Sequence, residues 1–136
     1  MSANGKTNRR WLKTLSRKID FGREKVYFLY CPVSNRVKIG KTRGVVSDRV
    51  NQIASTSSTG DKHILLFYMQ DFVGGCEKTL HEKFIIQREH GEWFKQSGIL
   101  EEFINNVLDE ENGFFIELKD SLSEVIIVNK ICKRKS

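Results

Sequence analysis

Residues 25–42 read KVYFLYCPVSNRVKIGKT, and the fold turns on how this stretch is read. The run from Lys25 to Cys31 is aromatic and β-branched, Pro32-Val33-Ser34-Asn35 supplies turn chemistry, and RVKIGK resumes strand character. A β-hairpin is expected. With a four-residue loop at 32–35, Cys31 faces Arg36, Leu29 faces Lys38 and Tyr27 faces Gly40. Side chains alternate between faces, so Tyr27 and Lys38 share one face as diagonal neighbours, about 7–8 Å apart at the backbone. Gly40 leaves open space above the Tyr27 ring. Taken alone, a strand tyrosine is a packing residue and a lysine between Val37 and Ile39 is an exposed one.

Downstream, Val46, Val50, Ile53 and Ala54 fall on one helical face before the Ser/Thr-rich stretch STSSTGD, and HILLFYMQDF reads as a third strand. Gly74-Gly75 opens a helix expected to run to about Glu89. At 100° per residue, Glu77, His81, Phe84 and Arg88 lie within about 60° of one another, bordered by Leu80 and Ile85. Polar groups inside an apolar stripe must be paired, hydrated or metal-bound to offset desolvation. Pairing of Glu77 with Arg88 or His81 is the structural alternative to a functional site. After GEWF, the residues Ile99, Leu100, Phe103, Ile104 and Leu108 mark another amphipathic helix, and FFIELKD and EVIIVNKI suggest strand or mixed structure.

Upstream, Trp11, Leu12, Leu15 and Ile19 recur at helical spacing among Arg9, Arg10, Lys13, Arg17 and Lys18, which predicts a short basic amphipathic helix. The formal net charge is +6, and its positive part sits in the ends, since residues 26–129 are net acidic. A second basic strip, Arg36, Lys38, Lys41, Arg43 and Arg49, lies inside that acidic segment. Such a strip favours a polyanion partner.

At 136 residues there is room for one compact domain with short appendages. The longest apolar runs, Ile64 to Phe67 and Val125 to Val128, fall far short of the ~20 residues that span a bilayer. No apolar secretory core follows the basic start, and Asp20 and Glu24 argue against a transit peptide, so an intracellular site, cytoplasmic or nuclear, is expected. Cys31, Cys76 and Cys132 are odd in number and contain no CxxC pair. They signal neither a disulfide framework nor a zinc knuckle.

VYFLY, then KIGKT, Arg49 in DRVNQI, CEKTLHEKF and GEWF occur in order over residues 25–95, and in that order they resemble the GIY-YIG nuclease superfamily. More narrowly they resemble the branch named for a meiotically up-regulated gene and its phage relatives. The resemblance implies that Tyr27 activates the attacking water, that Arg49 matches the arginine of the first helix, and that Glu77 is the carboxylate holding a divalent metal, Mg²⁺ or Mn²⁺. Lys38 stands where the second motif has its tyrosine, followed by Ile39 and Gly40, and His81 matches the histidine of the branch's E-x-x-x-H pattern. The first motif here is KVY rather than GIY, and Ile53 stands one turn after Arg49 where several nucleases have a histidine.

The expected fold is therefore α/β of the α+β type, a small antiparallel three-stranded sheet covered by helices. Its parts are a basic helical extension at 1–24, a GIY-YIG-like domain at 25–110 and an extension with a basic tail at 111–136. The expected function is a metal-dependent endonuclease with Tyr27, Lys38, Arg49 and His81 catalytic, Glu77 on the metal, and Arg36, Lys41, Arg43, Arg9, Arg10, Lys13 and Arg17 on nucleic acid. DNA is favoured over RNA, with the protein a monomer or weak homodimer of viral or phage type. The alternatives are a silent nucleic-acid-binding module with the same fold, or a protein-interaction domain using the acidic 99–124 region.

Overall fold

Lys25–Cys31 and Arg36–Thr42 form antiparallel strands, β1 and β2, in the register that the loop length dictates: Cys31 opposite Arg36, Leu29 opposite Lys38, Tyr27 opposite Gly40. Asn35 closes the loop in the left-handed region at φ 54°, a conformation asparagine tolerates, and its Oδ1 accepts from the Tyr30 hydroxyl at 2.9 Å. A computed structural model describes residues 24–57, 60–71, 75–109, 115–118 and 121–129. The basic amphipathic helix expected around Trp11 to Ile19, with Arg9, Arg10, Lys13 and Arg17, lies outside the described residues, as does the basic tail from Lys130.

The chain continues through α1 (Val46–Ser55), β3 (Ile64–Asp71), α2 (Cys76–Lys83), a 3-10 turn (Ile85–Gln87), β4 (Arg88–His90), β5 (Trp93–Lys95), α3 (Gly98–Leu108), β6 (Phe115–Leu118) and β7 (Ser121–Ile127). The class is α+β with an antiparallel sheet, but the expectation of three strands is corrected. One seven-stranded sheet runs in the order β4-β5-β2-β1-β3-β7-β6. The expected trio β2-β1-β3 is its centre. β5 adds to β2 over Arg36 to Lys38, and β7 adds to β3 over five residue pairs, Phe67 with Ile127 through Asp71 with Ser123. An exposed β3 edge made of ILLFYMQD would be a template for intermolecular pairing, and β7 covers it.

The helix after Gly75 is also shorter than expected, ending at Lys83 rather than Glu89. Phe84 leaves helical geometry at φ −109°, its ring fully buried, and the β-branched pair Ile85-Ile86 follows in the 3-10 turn. Arg88 therefore leaves the Glu77 face, and its Nε donates to the Gly91 carbonyl at 2.8 Å.

Burial on both faces explains why β1 lacks polar alternation. Val26 and Phe28, with Val37, Ile39, Phe67, Met69, Phe94 and Val125, belong to the main core with Cys76, Leu80 and Phe84 and with Leu100 and Ile104 of α3. Tyr27 and Leu29 belong to a second, smaller cluster with Val46 of α1, flanked by Val50, Ile53, Leu65 and Tyr68. Strand β7 also touches α2, since the buried Ser123 hydroxyl lies 3.5 Å from the Cys76 sulfur, itself 3.8 Å from Met69 Sδ. Among the described residues no helix is long and apolar enough to cross a membrane.

Because β7 completes the sheet, truncation after residue 110 should lower the urea midpoint and produce concentration-dependent association in light scattering. Val125→Ala, at a fully buried position, should cost about 1–3 kcal/mol in the intact chain. A truncated protein that stayed monomeric with an unchanged midpoint would mean that β7 is only an appendage.

Candidate functional site

Gly40 lets the sheet hold a tyrosine ring where a side chain would otherwise stand. A Cβ on Gly40 would meet the Tyr27 hydroxyl at 2.5 Å and its Cζ at 2.6 Å. The open space expected above the ring is filled by the ring itself. Tyr27 is 0% exposed, and its hydroxyl makes no well-formed hydrogen bond, although the Arg49 guanidinium is placed to donate one. Burial pushes its pKa above the usual phenol value. The Arg49 guanidinium beside it pulls the other way, while Glu92 and Glu77 add to the rise. Arg49, on the exposed side of α1, is steadied by donation from its Nη1 to Gln52 Oε1 at 2.9 Å.

Lys38 lies on the Tyr27 face, as the register requires, with Nζ 3.1 Å from Glu92 Oε1 and 5.6 Å from the centre of the Trp93 ring. Trp93 in turn has the His63 ring 6.1 Å away. Strand β5 covers β2 only as far as Lys38. Beyond it, Ile39 N–H donates to the Glu92 carbonyl at 2.9 Å, and the Ile39 carbonyl lies 2.9 Å from His81 Nε2. A carbonyl only accepts, so His81 carries its hydrogen on Nε2 in this arrangement. That bond sets α2 beside the open part of β2.

Glu77, one turn before His81, has Oε2 3.8 Å from His81 Nε2 and Oε1 3.9 Å from Lys41 Nζ. Its side chain is 14% exposed. Burial is the main cause raising its pKa above the usual carboxylate value. His81 and Lys41 oppose the rise, and Glu92 adds to it both by charge and by a hydrogen bond between the two carboxyl groups.

Tyr27, Lys38 and Arg49 thus approach from the smaller-core side of the sheet, and Glu77 and His81 from the helix on the main-core side. They meet around the edge of β2 left open past Lys38. Glu92 joins the two groups. It was not singled out from sequence, because a residue in a turn shows no periodicity. The available signal was a carboxylate between the turn glycine and the buried aromatic of GEWF. Of the basic strip, Arg36 is paired with Glu89 at 2.7 Å, and Lys41 also approaches Glu24 at 3.3 Å. Lys41 and Arg43 line an open pocket with Glu24 and Thr42.

Two carboxylates and a phenol offer oxygen donors of the kind that suit a hard divalent cation keeping much of its water. Among the described residues no cluster of three His, Cys, Asp or Glu side chains forms a ready cage. Cys76 packs in the core against Met69. The donor set fits Mg²⁺ or Mn²⁺ on Glu77.

Residues 24–111 match the T5orf172 domain, a domain found in phage open reading frames and associated with nuclease folds of the GIY-YIG-like and HNH types. No curated protein and no solved structure matches the chain.

Removing a buried hydroxyl that makes no well-formed hydrogen bond should help the fold, so Tyr27→Phe is expected to gain about 1 kcal/mol in urea melts. Gly40→Ala, which drives a methyl group into the ring, should lose about 1–3 kcal/mol. A destabilised Tyr27→Phe would show that the hydroxyl has a partner after all.

Glu77 generates a pH signature. A carboxyl whose folded pKa is raised costs stability above that pKa and none below its unfolded value. Without added metal, Glu77→Gln should therefore melt higher than wild type at neutral pH, and the gap should close as pH falls through the raised folded pKa. A variant that melted lower at neutral pH would mark Glu77 as a structural ion-pair partner instead.

Proposed function

This chain belongs to the T5orf172 domain family, and on that premise we propose that it is a divalent-metal-dependent endonuclease that nicks or cleaves DNA. The family supports a nuclease-like or DNA-binding role. The KIGKT, E-x-x-x-H and GEWF pieces favour the branch that includes phage relatives. The observation that carries the reading is a buried tyrosine hydroxyl with no well-formed hydrogen bond, a guanidinium placed to donate to it and a half-buried carboxylate nearby.

Phosphodiester hydrolysis needs an in-line nucleophile, positive charge around the transition state and a proton for the leaving oxygen. In this reading Tyr27 orients the attacking water and takes its proton. Burial keeps the hydroxyl a phenol at neutral pH, so positive charge must gather beside it before it can act as a base. Arg49 supplies part of that charge and also faces the phosphate. Lys38, in place of a second tyrosine, contributes a cation where the family pattern has a phenol. His81, fixed through Nε2–H, holds Nδ1 for proton exchange. Mg²⁺ or Mn²⁺ on Glu77 would supply Lewis-acid stabilisation of the phosphate and leaving oxygen. A single site cuts one strand, so a monomer nicks and a homodimer is needed for a double-strand break.

A second reading, a silent DNA-binding module, is favoured by the same raised phenol pKa and by Lys38 standing paired with Glu92.

Plasmid nicking with Mg²⁺ separates the two. Tyr27→Phe should lose about 10²- to 10⁴-fold in rate, and Glu77→Gln should fall by orders of magnitude. Both should bind DNA with the wild-type salt dependence, which comes from Lys and Arg. Wild-type rates should rise with pH from neutral to alkaline as the phenol ionises. Salt-sensitive binding with no nicking by wild type selects the silent module.

A further inference from the structure

Glu92 is held at the site by its backbone. Its carbonyl is bonded to Ile39 N–H at 2.9 Å, and Gly91 before it turns the chain at φ 57°, which a residue with a Cβ rarely adopts. From there its carboxylate lies 3.1 Å from Lys38 Nζ and borders the space over Gly40, where a Cβ would stand 2.9 Å away, and it is near enough to the Glu77 carboxyl to act on its ionisation. The same Gly40 point is 2.5 Å from the Tyr27 hydroxyl, which is wholly buried and makes no well-formed hydrogen bond. Two carboxylates facing each other in a half-buried site repel unless positive charge or a proton lies between them. Lys38 answers Glu92 at 3.1 Å, and Glu77 has only the longer contacts to His81 and Lys41, at 3.8 and 3.9 Å. The Tyr27 hydroxyl at the edge of the same space adds a third oxygen.

We infer that Glu92 is a second oxygen ligand for the divalent cation of Glu77, lent to Lys38 while that cation is absent. The inference rests on the nuclease reading of the site. Cation and ammonium then compete for one carboxylate. Loading the site releases Lys38 from Glu92, and its charge becomes available to a phosphate. Lys38 is in this way a positioning residue whose availability is set by the cation.

The test is Mn²⁺ binding to the full chain without DNA, followed by water-proton relaxation and by the spectrum of free Mn²⁺. Glu92→Gln should weaken binding about tenfold or more. Lys38→Met should tighten it several-fold by removing the competitor, and the double variant should bind like Glu92→Gln alone. Glu92→Asp, which keeps the carboxylate, should fall between wild type and Glu92→Gln, and it decides the matter if the amide variant fails to fold. If Glu77→Gln abolishes binding while Glu92→Gln and Lys38→Met bind as wild type does, Glu92 is only a salt-bridge partner and the inference is wrong. If wild type does not bind Mn²⁺, or Glu77→Gln binds it normally, the metal reading of the whole site falls and the inference with it.

Discussion

The Tyr27 ring lies in the gap that Gly40 leaves across the β1–β2 ladder, and the rest of the site depends on that contact. A glycine in a strand interior weakens the strand, and here the loss is offset by burying an aromatic ring against the sheet. The hydroxyl is thereby fixed where Arg49, Glu92 and Glu77 all act on it. Displacing the ring would move the one group that these three charges share.

Around that point the protein sets charges whose partners are only partly matched. Glu77 is kept from easy ionisation by burial and by Glu92, and Tyr27 by burial and by both carboxylates. Elsewhere the pairing is ordinary. Glu89, bonded to Arg36 and Lys95, is drawn below the usual carboxylate range. Two groups held away from their charged forms, side by side, are what a site meant to receive further charge looks like.

Much of this was legible in the sequence where local rules decide. The hairpin register follows from a four-residue loop, which by itself places Tyr27, Lys38 and Gly40 together. The helix phase placed Glu77 and His81 on one side. The sheet width was not legible, because strands of three residues such as β4 and β5 carry no measurable alternation. The end of α2 was missed because Ile85 and Ile86 continue the apolar pattern while Phe84 turns the backbone. The docking of β7 on β3 is a long-range choice that neither segment announces alone. Glu92 was missed for a related reason, since its importance comes from a turn that brings it back to β2.

The position of Trp93 gives the site an optical handle. Its indole lies beneath the Lys38 ammonium and beside His63, so its surroundings change whenever Lys38 is drawn elsewhere. The only other tryptophan is Trp11, in the basic N-terminal stretch. In a chain with Trp11 replaced by phenylalanine, intrinsic emission would come from this indole alone, and occupancy of the site would be readable without a label.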